Sequence, residues 1–327
     1  MPSPAFGWNS FLSVGKESTW GTAVARTESF EHVGVKGGAL NPYIEKESFR
    51  TLSARNHYRG LNKVLGTLMG PLNYQGFETL FQDLFGSTGA ANPAITTPGG
   101  GTLSRQLVFT FQDAVNPGLS FEYGLKGVQG YIWAGGKITD VVIDAKLDKI
   151  MLATFGICAK AETKLASGSL SAEVYPAELP ITWDQIVLKL NGTAVDFTDL
   201  QIKIDKGLDH DRRAMGSLFG KEPQPGKKKR EVTVNLTSDF EDSSWHDLLT
   251  GDTTAKLNLV ATGALIEGAI PYSMNWEIPV VFVATSAHDA DKIGIIPQKL
   301  IFRAVYDVAN SAEMVKCTIV NKRTAVP

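Results

Sequence analysis

The sequence predicts a mainly β chain built as two tandem sandwich or barrel domains, each with one flanking α-helix and long loops or arms. Three observations carry that prediction. Segments that alternate apolar and polar residues recur along the chain. Two stretches instead carry apolar residues at helical spacing. Those two stretches lie about half a chain apart in a protein of 327 residues, a length that suits about two domains.

The strand segments run as follows. Residues 106–111 (QLVFTF) are rich in β-formers and alternate over most of their length. Residues 186–190 (IVLKL) lead into Asn191-Gly192, a hairpin signal. Residues 200–206 (LQIKIDK) alternate strictly at first, which predicts a strand with one buried face. Residues 231–236 (EVTVNL) alternate as well, and 299–306 (KLIFRAVY) do so more loosely.

The first helical segment, 76–86, places Phe77, Leu80, Phe81, Leu84 and Phe85 on one side and ends at Gly86. The second, 239–251, does the same with Trp245, Leu248 and Leu249 and ends at Gly251. Acidic residues and serines crowd its start, where a helix N-terminus favours them. Gly86 and Gly251 lie 165 residues apart, whereas Phe77-Glu78 and Phe240-Glu241 match at a shift of 163. Each half also has an apolar stretch with one cysteine near its end, Cys158 and Cys317. This order of elements predicts a duplicated domain of about 160 residues, spanning 1–162 and 163–327. Residues 164–171 (KLASGSLS) are small and polar, as a linker is, although 161–170 also suits an outer hairpin of the first domain. Two long loops stand out, 90–102 and 208–230. The latter is the natural arm of the second domain for reaching a neighbour.

Composition narrows the function. The chain is 43% hydrophobic and holds 32 basic against 34 acidic residues. That excludes a disordered chain and removes the electrostatic case for a nucleic-acid binder. No run approaches the ~20 apolar residues of a membrane helix, and residues 1–19 lack the basic and apolar regions of a signal peptide. Two cysteines cannot make a disulfide framework or a four-cysteine zinc site, and are expected as buried, reduced thiols in a protein made in a reducing cytoplasm. The sequons at Asn191 and Asn235 read as chance matches.

No catalytic signature appears. His32, His57, His210, His246 and His288 sit in no nucleophile or zinc motif. Gly99-Gly100-Gly101 lacks the Lys-Ser/Thr of a phosphate loop and reads as a surface turn. Asp209-His210-Asp211 offers oxygen and nitrogen ligands, but a solvated loop explains it as well. No enzyme, cofactor or metal is expected. No spacing of carboxylates marks a glycan hydrolase.

The segment Gly15-Lys16-Glu17-Ser18-Thr19-Trp20-Gly21-Thr22-Ala23 resembles the opening of phage major tail tube proteins, a short strand followed by Gly-x-Glu, an aromatic and Gly-Thr. Residues 230–240 (REVTVNLTSDF) are similar to the family's strand-then-acidic-helix stretch, and Trp183-Asp184 and 208–213 also fit. The likeness is to the two-tube-domain type, in long, non-contractile-tailed, siphovirus-like phages. It implies a virion structural protein whose single-domain relatives form hexameric rings. Three copies of a two-domain chain fill the same pseudo-hexamer. Rings stack into the tube through which DNA is delivered. The implied partners are the protein itself, the tape measure, the tail terminator, distal tail or baseplate proteins, and DNA in transit. A lumen of acidic or neutral residues is expected. The alternative class is a tail-tip or receptor-binding β-sandwich module.

Within that frame the subunit-interaction candidates are Trp8, Trp20, Arg212, Arg213, Phe219, Lys227, Lys228, Lys229 and Arg230. Trp8 lies near the N-terminus. Trp20 suits a core or an interface, as tryptophans do, and Phe219 either anchors a neighbour or packs within the chain. The run 227–230 suits a solvated turn or pairing with acidic residues of the next subunit; phosphate contact is a third reading.

Overall fold

The computed structural model describes residues 10–40, 42–45, 57–86, 92–114, 116–125, 128–166, 172–177, 179–226, 228–240, 244–251, 253–288 and 296–326. The first half contains β1 (Ser10–Lys16), β2 (Glu28–Ser29), β3 (Gly34–Leu40), β4 (Tyr43–Glu45), β5 (His57–Arg59), β6 (Lys63–Pro71), α1 (Glu78–Phe85), β7 (Ala94–Thr96), β8 (Arg105–Thr110), β9 (Leu119–Leu125), β10 (Gln129–Lys146), β11 (Leu152–Ala159) and β12 (Ala161–Lys164). The second contains β13 (Ile186–Leu190), β14 (Thr193–Val195), β15 (Asp199–Asp205), β16 (Leu208–Asp209), β17 (Gln224–Pro225), β18 (Glu231–Asp239), α2 (Ser244–Thr250), β19 (Ala255–Glu267), β20 (Ile270–His288), β21 (Pro297–Ala304) and β22 (Lys316–Asn321). The fold is mainly β, as the alternation predicts. Asn191 and Gly192 both take positive φ and turn β13 into β14.

All ladders between these strands are antiparallel, and the two halves pair in the same order. In the first half the order is β1-β9-β10-β11-β6-β3, with β12 also on β10. In the second it is β13-β19-β20-β21-β18-β15, with β22 also on β20. A two-stranded hairpin, β4–β5 or β16–β17, follows β3 or β15 in turn. The long strands β10 and β20 each change partners along their length, β10 from β9 and β12 to β11 and β15, and β20 from β19 and β22 to β21. β10 bends at Gly135 (φ 69°), where a side chain would strike Trp20 and Lys160. β20 bends near Pro279, which cannot donate to a ladder and so suits an interruption.

The expected boundary at 162/163 falls inside β12, whose four residues pair with Tyr131 to Ala134 of β10. The loop 90–102 contains β7, which pairs with β8.

One hydrophobic core runs through both halves, and α1 lies within it rather than flanking it. All eight residues of α1 are buried. Phe81 meets Trp276 edge-on at 5.3 Å and lies 5.7 Å from Phe155; Phe85 lies 5.0 Å from Phe111. Three polar side chains of α1 have buried or half-buried partners. Asn321 donates to Glu78 at 2.6 Å, Lys16 to Gln82 at 2.7 Å, and the Ile138 N–H to Asp83 at 2.6 Å. Buried Lys206 donates to the Asp83 carbonyl, placing a cation at the helix C-terminus. Burial pushes the Glu78 carboxyl up to about 7. Three of these partners, Lys206, Trp276 and Asn321, come from the second half. By contrast α2 flanks its half: Trp245 meets Phe302 edge-on at 5.8 Å, and His246, Asp247 and Thr250 are exposed.

Phe81→Ala removes a ring held by both halves. It is expected to lower unfolding stability by about 3–5 kcal/mol in urea titrations; a loss below about 1 kcal/mol would show that the site collapses without cost to the shared core.

Candidate assembly surface

Eight strands form one sheet across the chain, in the order β3-β6-β11-β10-β15-β18-β21-β20. Its centre is a seam between the halves. There β10 pairs with β15 over seven residues, from Asp140 opposite Asp205 to Lys146 opposite Asp199. Its ends are open. Among the described residues β3 pairs with β6 alone, and Phe282 to His288 of β20 pair with β21 alone. Open edges present unpaired N–H and C=O groups to any strand that can reach them.

Burial alternates cleanly along these strands, as in β18 (eBiBiBiBe, where B is buried, i intermediate and e exposed), so one face packs on the core and the other is free. The free face carries both signs of charge: Asp140, Asp144, Asp199 and Asp205 against Lys36, Lys203, Lys299 and Arg303. On it a polar ladder crosses the seam. Gln201 donates to Asp144 at 2.8 Å and Asn235 donates to Gln201 at 3.1 Å.

A second seam joins β8 to β22 over six residues. Beside it, Glu267 at the β19–β20 turn accepts hydrogen bonds from the N–H groups of Thr102, Leu103 and Ser104 and from the Thr102 and Ser104 hydroxyls, at 2.6 to 3.1 Å. These bonds, led by those of Ser104, hold its carboxyl down at about 2.

The opening motif has a physical role here. Glu17 is buried and accepts from Gly135 N–H at 2.8 Å, Ser120 hydroxyl at 2.7 Å and Gly21 N–H at 2.7 Å. Trp20 donates to the Gly135 carbonyl at 3.0 Å, under the Lys160 ammonium 4.8 Å from its ring. The motif therefore locks the chain onto the bend of β10, with Trp20 half-buried there.

The long arm 208–230 folds into the β16–β17 hairpin and lies on the first half. Asp211 pairs with Lys63 at 2.9 Å, Glu222 with buried Lys137 at 3.0 Å, and the Leu218 carbonyl accepts from Asn62 N–H at 2.7 Å. Arg212 donates to the Glu222 carbonyl at 2.8 Å; Arg213 and Phe219 are exposed. Lys228 pairs with Asp205 at 2.5 Å, a bond that raises its pKa. Arg230 reaches Asp113 at 3.0 Å and stacks over Phe111. Two cations of the run 227–230 thus have acidic partners in their own chain, while Lys229 is exposed. Trp8 and Lys227 lie outside the described residues. Residue-by-residue reading missed the two open strand edges and the buried ions Lys137 and Lys206. Edges leave no mark in a strand's own periodicity, and a lysine in sequence reads as surface. The signal for Glu17 was present, as the Gly-x-Glu of the opening.

Burial pushes the Cys158 thiol up to about 12 and raises that of Cys317. Among the described residues no group of three or more His, Cys, Asp or Glu could hold a metal ion, and no helix is long and apolar enough to cross a membrane.

An antiparallel sheet with two open ends offers strand edges to a neighbouring chain. The profile of the family described as phage tail tube protein matches residues 7–290. The chain belongs to that family and is a structural component of phage tails. No curated protein matches it. A cryo-EM structure of the anti-feeding prophage cap, a tube-terminating cap, is similar at 14% identity and a TM-score of 0.31, over 47% of this chain and 99% of that one. That likeness is too slight to carry an argument.

The Glu267 clamp predicts a pH effect. Its folded pKa lies below the usual 4.5, so its contribution is complete above that value and is lost as pH falls from about 5 towards 2. In melts of the wild type and Glu267→Gln, the wild type should be more stable at pH 7 and the difference should shrink towards pH 2. A difference independent of pH would remove the clamp.

Proposed function

We propose that the chain polymerises into stacked rings of three copies, each ring a pseudo-hexamer, to make a tail tube whose channel passes DNA. The β10–β15 seam is the observation that carries this reading. It joins one half to the next through an edge ladder, and the edges of β3 and β20 are the matching elements at the sheet's two ends. The matching strand order supports treating the halves as two equivalent domains. Six domain positions, implied by the family resemblance, are then filled by three chains. A head-to-tail contact of this kind closes when its rotation divides the circle.

The intrachain register transfers along the matched strands. It sets Thr285 of one copy opposite Leu40 of the next, Ser286 opposite Ala39, and Ala287 opposite Gly38. The closed sheet has twenty-four strands, eight from each copy. Its free face lines the channel, where mixed charges without a basic stripe let an anionic polymer pass. Tape measure, terminator and distal tail proteins are the partners this reading brings with it.

Two measurements test it together. Negative-stain electron microscopy of the concentrated wild type should show stacked rings; a uniform small particle at every concentration counts against the tube and favours a tail-tip binding module. In assembled Ala39→Cys/Ser286→Cys protein, opposed Cα atoms roughly 4.5–5.5 Å apart are within disulfide range. Oxidation should give a ladder of species that stops at three chains. A ladder running to six, or tubes with no cross-link, would sink the proposed ring.

A further inference from the structure

The strands of the eight-stranded sheet end on two different surfaces. The arm lies across one of them, where β6 begins and β11 ends. Lys63 pairs there with Asp211, and Gly220 and Pro223 line one small cavity with Val64 and Cys158. The tip of the arm faces solvent. Met215 is wholly exposed, Leu218 and Phe219 are more than a third exposed, and Arg213 and Lys221 are exposed beside them.

The other surface, at the far end of the same strands, carries the β10–β11 turn, residues 147–150. The nine residues of β6 separate the two surfaces by roughly 30 Å. A groove of about 440 Å³ opens here between the halves. Leu147 of the first half and Trp183, Val187 and Phe197 of the second line it, together with Asp184 and Asp196. All of its lining residues are among the described ones. Leu147, Trp183 and Val187 are 51%, 45% and 42% exposed. Large apolar side chains left open side by side mark an interaction surface. Lys146, the cation of this lining, pairs with Asp199 at 3.5 Å, which leaves the two carboxylates to set the sign of the groove.

Arm tip and groove match in chemistry and in number. The tip offers three apolar side chains and two cations; the groove offers apolar walls and two carboxylates. Each chain has one arm of this kind and one such groove, because the groove needs both halves to form. A chain cannot seat its own arm, since the two lie at opposite ends of the sheet.

We infer that the arm tip of one copy, residues 213–221, seats in the Leu147–Trp183 groove of a copy in the neighbouring ring. The occupant is a second copy of this chain. Successive rings are then joined by three contacts, one for each chain, although six domains make up each ring. This rests on the stacked rings proposed above and assigns their axial contact, whereas the β3 and β20 edges make the lateral one.

The test uses Val187→Cys/Met215→Cys in the full chain, both exposed positions. The native thiols Cys158 and Cys317 are buried, so a short bis-maleimide added to assembled tubes reads the introduced pair. Bridging should give a ladder of species that runs past three chains, because each bridge passes to the next ring. Either substitution alone should give no bridge. A ladder that stops at three chains places the contact within a ring and overturns the inference. So does a lack of bridges in tubes, or bridging by one substitution alone. Should the paired substitutions prevent stacking, charge decides the matter. Arg213→Glu/Lys221→Glu should keep the rings and shorten the stacks at least tenfold in electron micrographs, and adding Asp184→Lys/Asp196→Lys should restore them. Stacks of wild-type length from the arm variant, or no recovery in the fourfold variant, overturn the inference. Wild-type protein that forms no ring is a different failure: it removes the ring reading, and the inference with it.

Discussion

The structure depends on the burial of α1. A helix with Glu78, Gln82 and Asp83 on one side and phenylalanines on the other cannot be covered by an apolar sheet alone. Each buried polar group left unpaired would cost about 1–3 kcal/mol. The second half supplies what is needed: Lys206 for the Asp83 carbonyl, Asn321 for Glu78, and Trp276 for Phe81 and Phe85. The halves are therefore tied by a shared core and by matched polar contacts, not merely by a linker.

The same joint explains the sheet. Once α1 is held between the halves, β15 lies beside the C-terminal part of β10, and β22 lies beside β8. The intrachain seam satisfies one edge of each half and leaves one edge of each half open. Open edges of this kind present unpaired backbone groups to any strand that can reach them. The asymmetry follows the same joint: second-half residues cover α1, whereas His246, Asp247 and Thr250 of α2 are exposed.

Much of the local structure was legible in the residues. The strands at 186–190, 200–206 and 231–236, the turn at Asn191-Gly192 and both helices followed from period and turn chemistry. The opening motif pointed to the family, and the profile match places the chain there. Other features were hidden. The arm 208–230 reads as a long loop able to reach a neighbour, and Asp211, Glu222 and Arg230 find partners on the first half. The short strand β12, Ala161–Lys164, has too few residues to show a period in the sequence.

The sequence by itself determined which segments are strands and helices, where the tightest turn falls, and which family the chain joins. These are properties of neighbouring residues: alternation, helical spacing and the glycines or prolines that interrupt them. The tertiary structure alone decided which edges remain open, that α1 is a core helix, and that Lys137 and Lys206 are buried. Edge, cover and charge compensation are relations between residues far apart in the chain, such as Lys206 with Asp83 or Asp140 with Asp205. No local pattern records a partner that arrives only when the chain has folded.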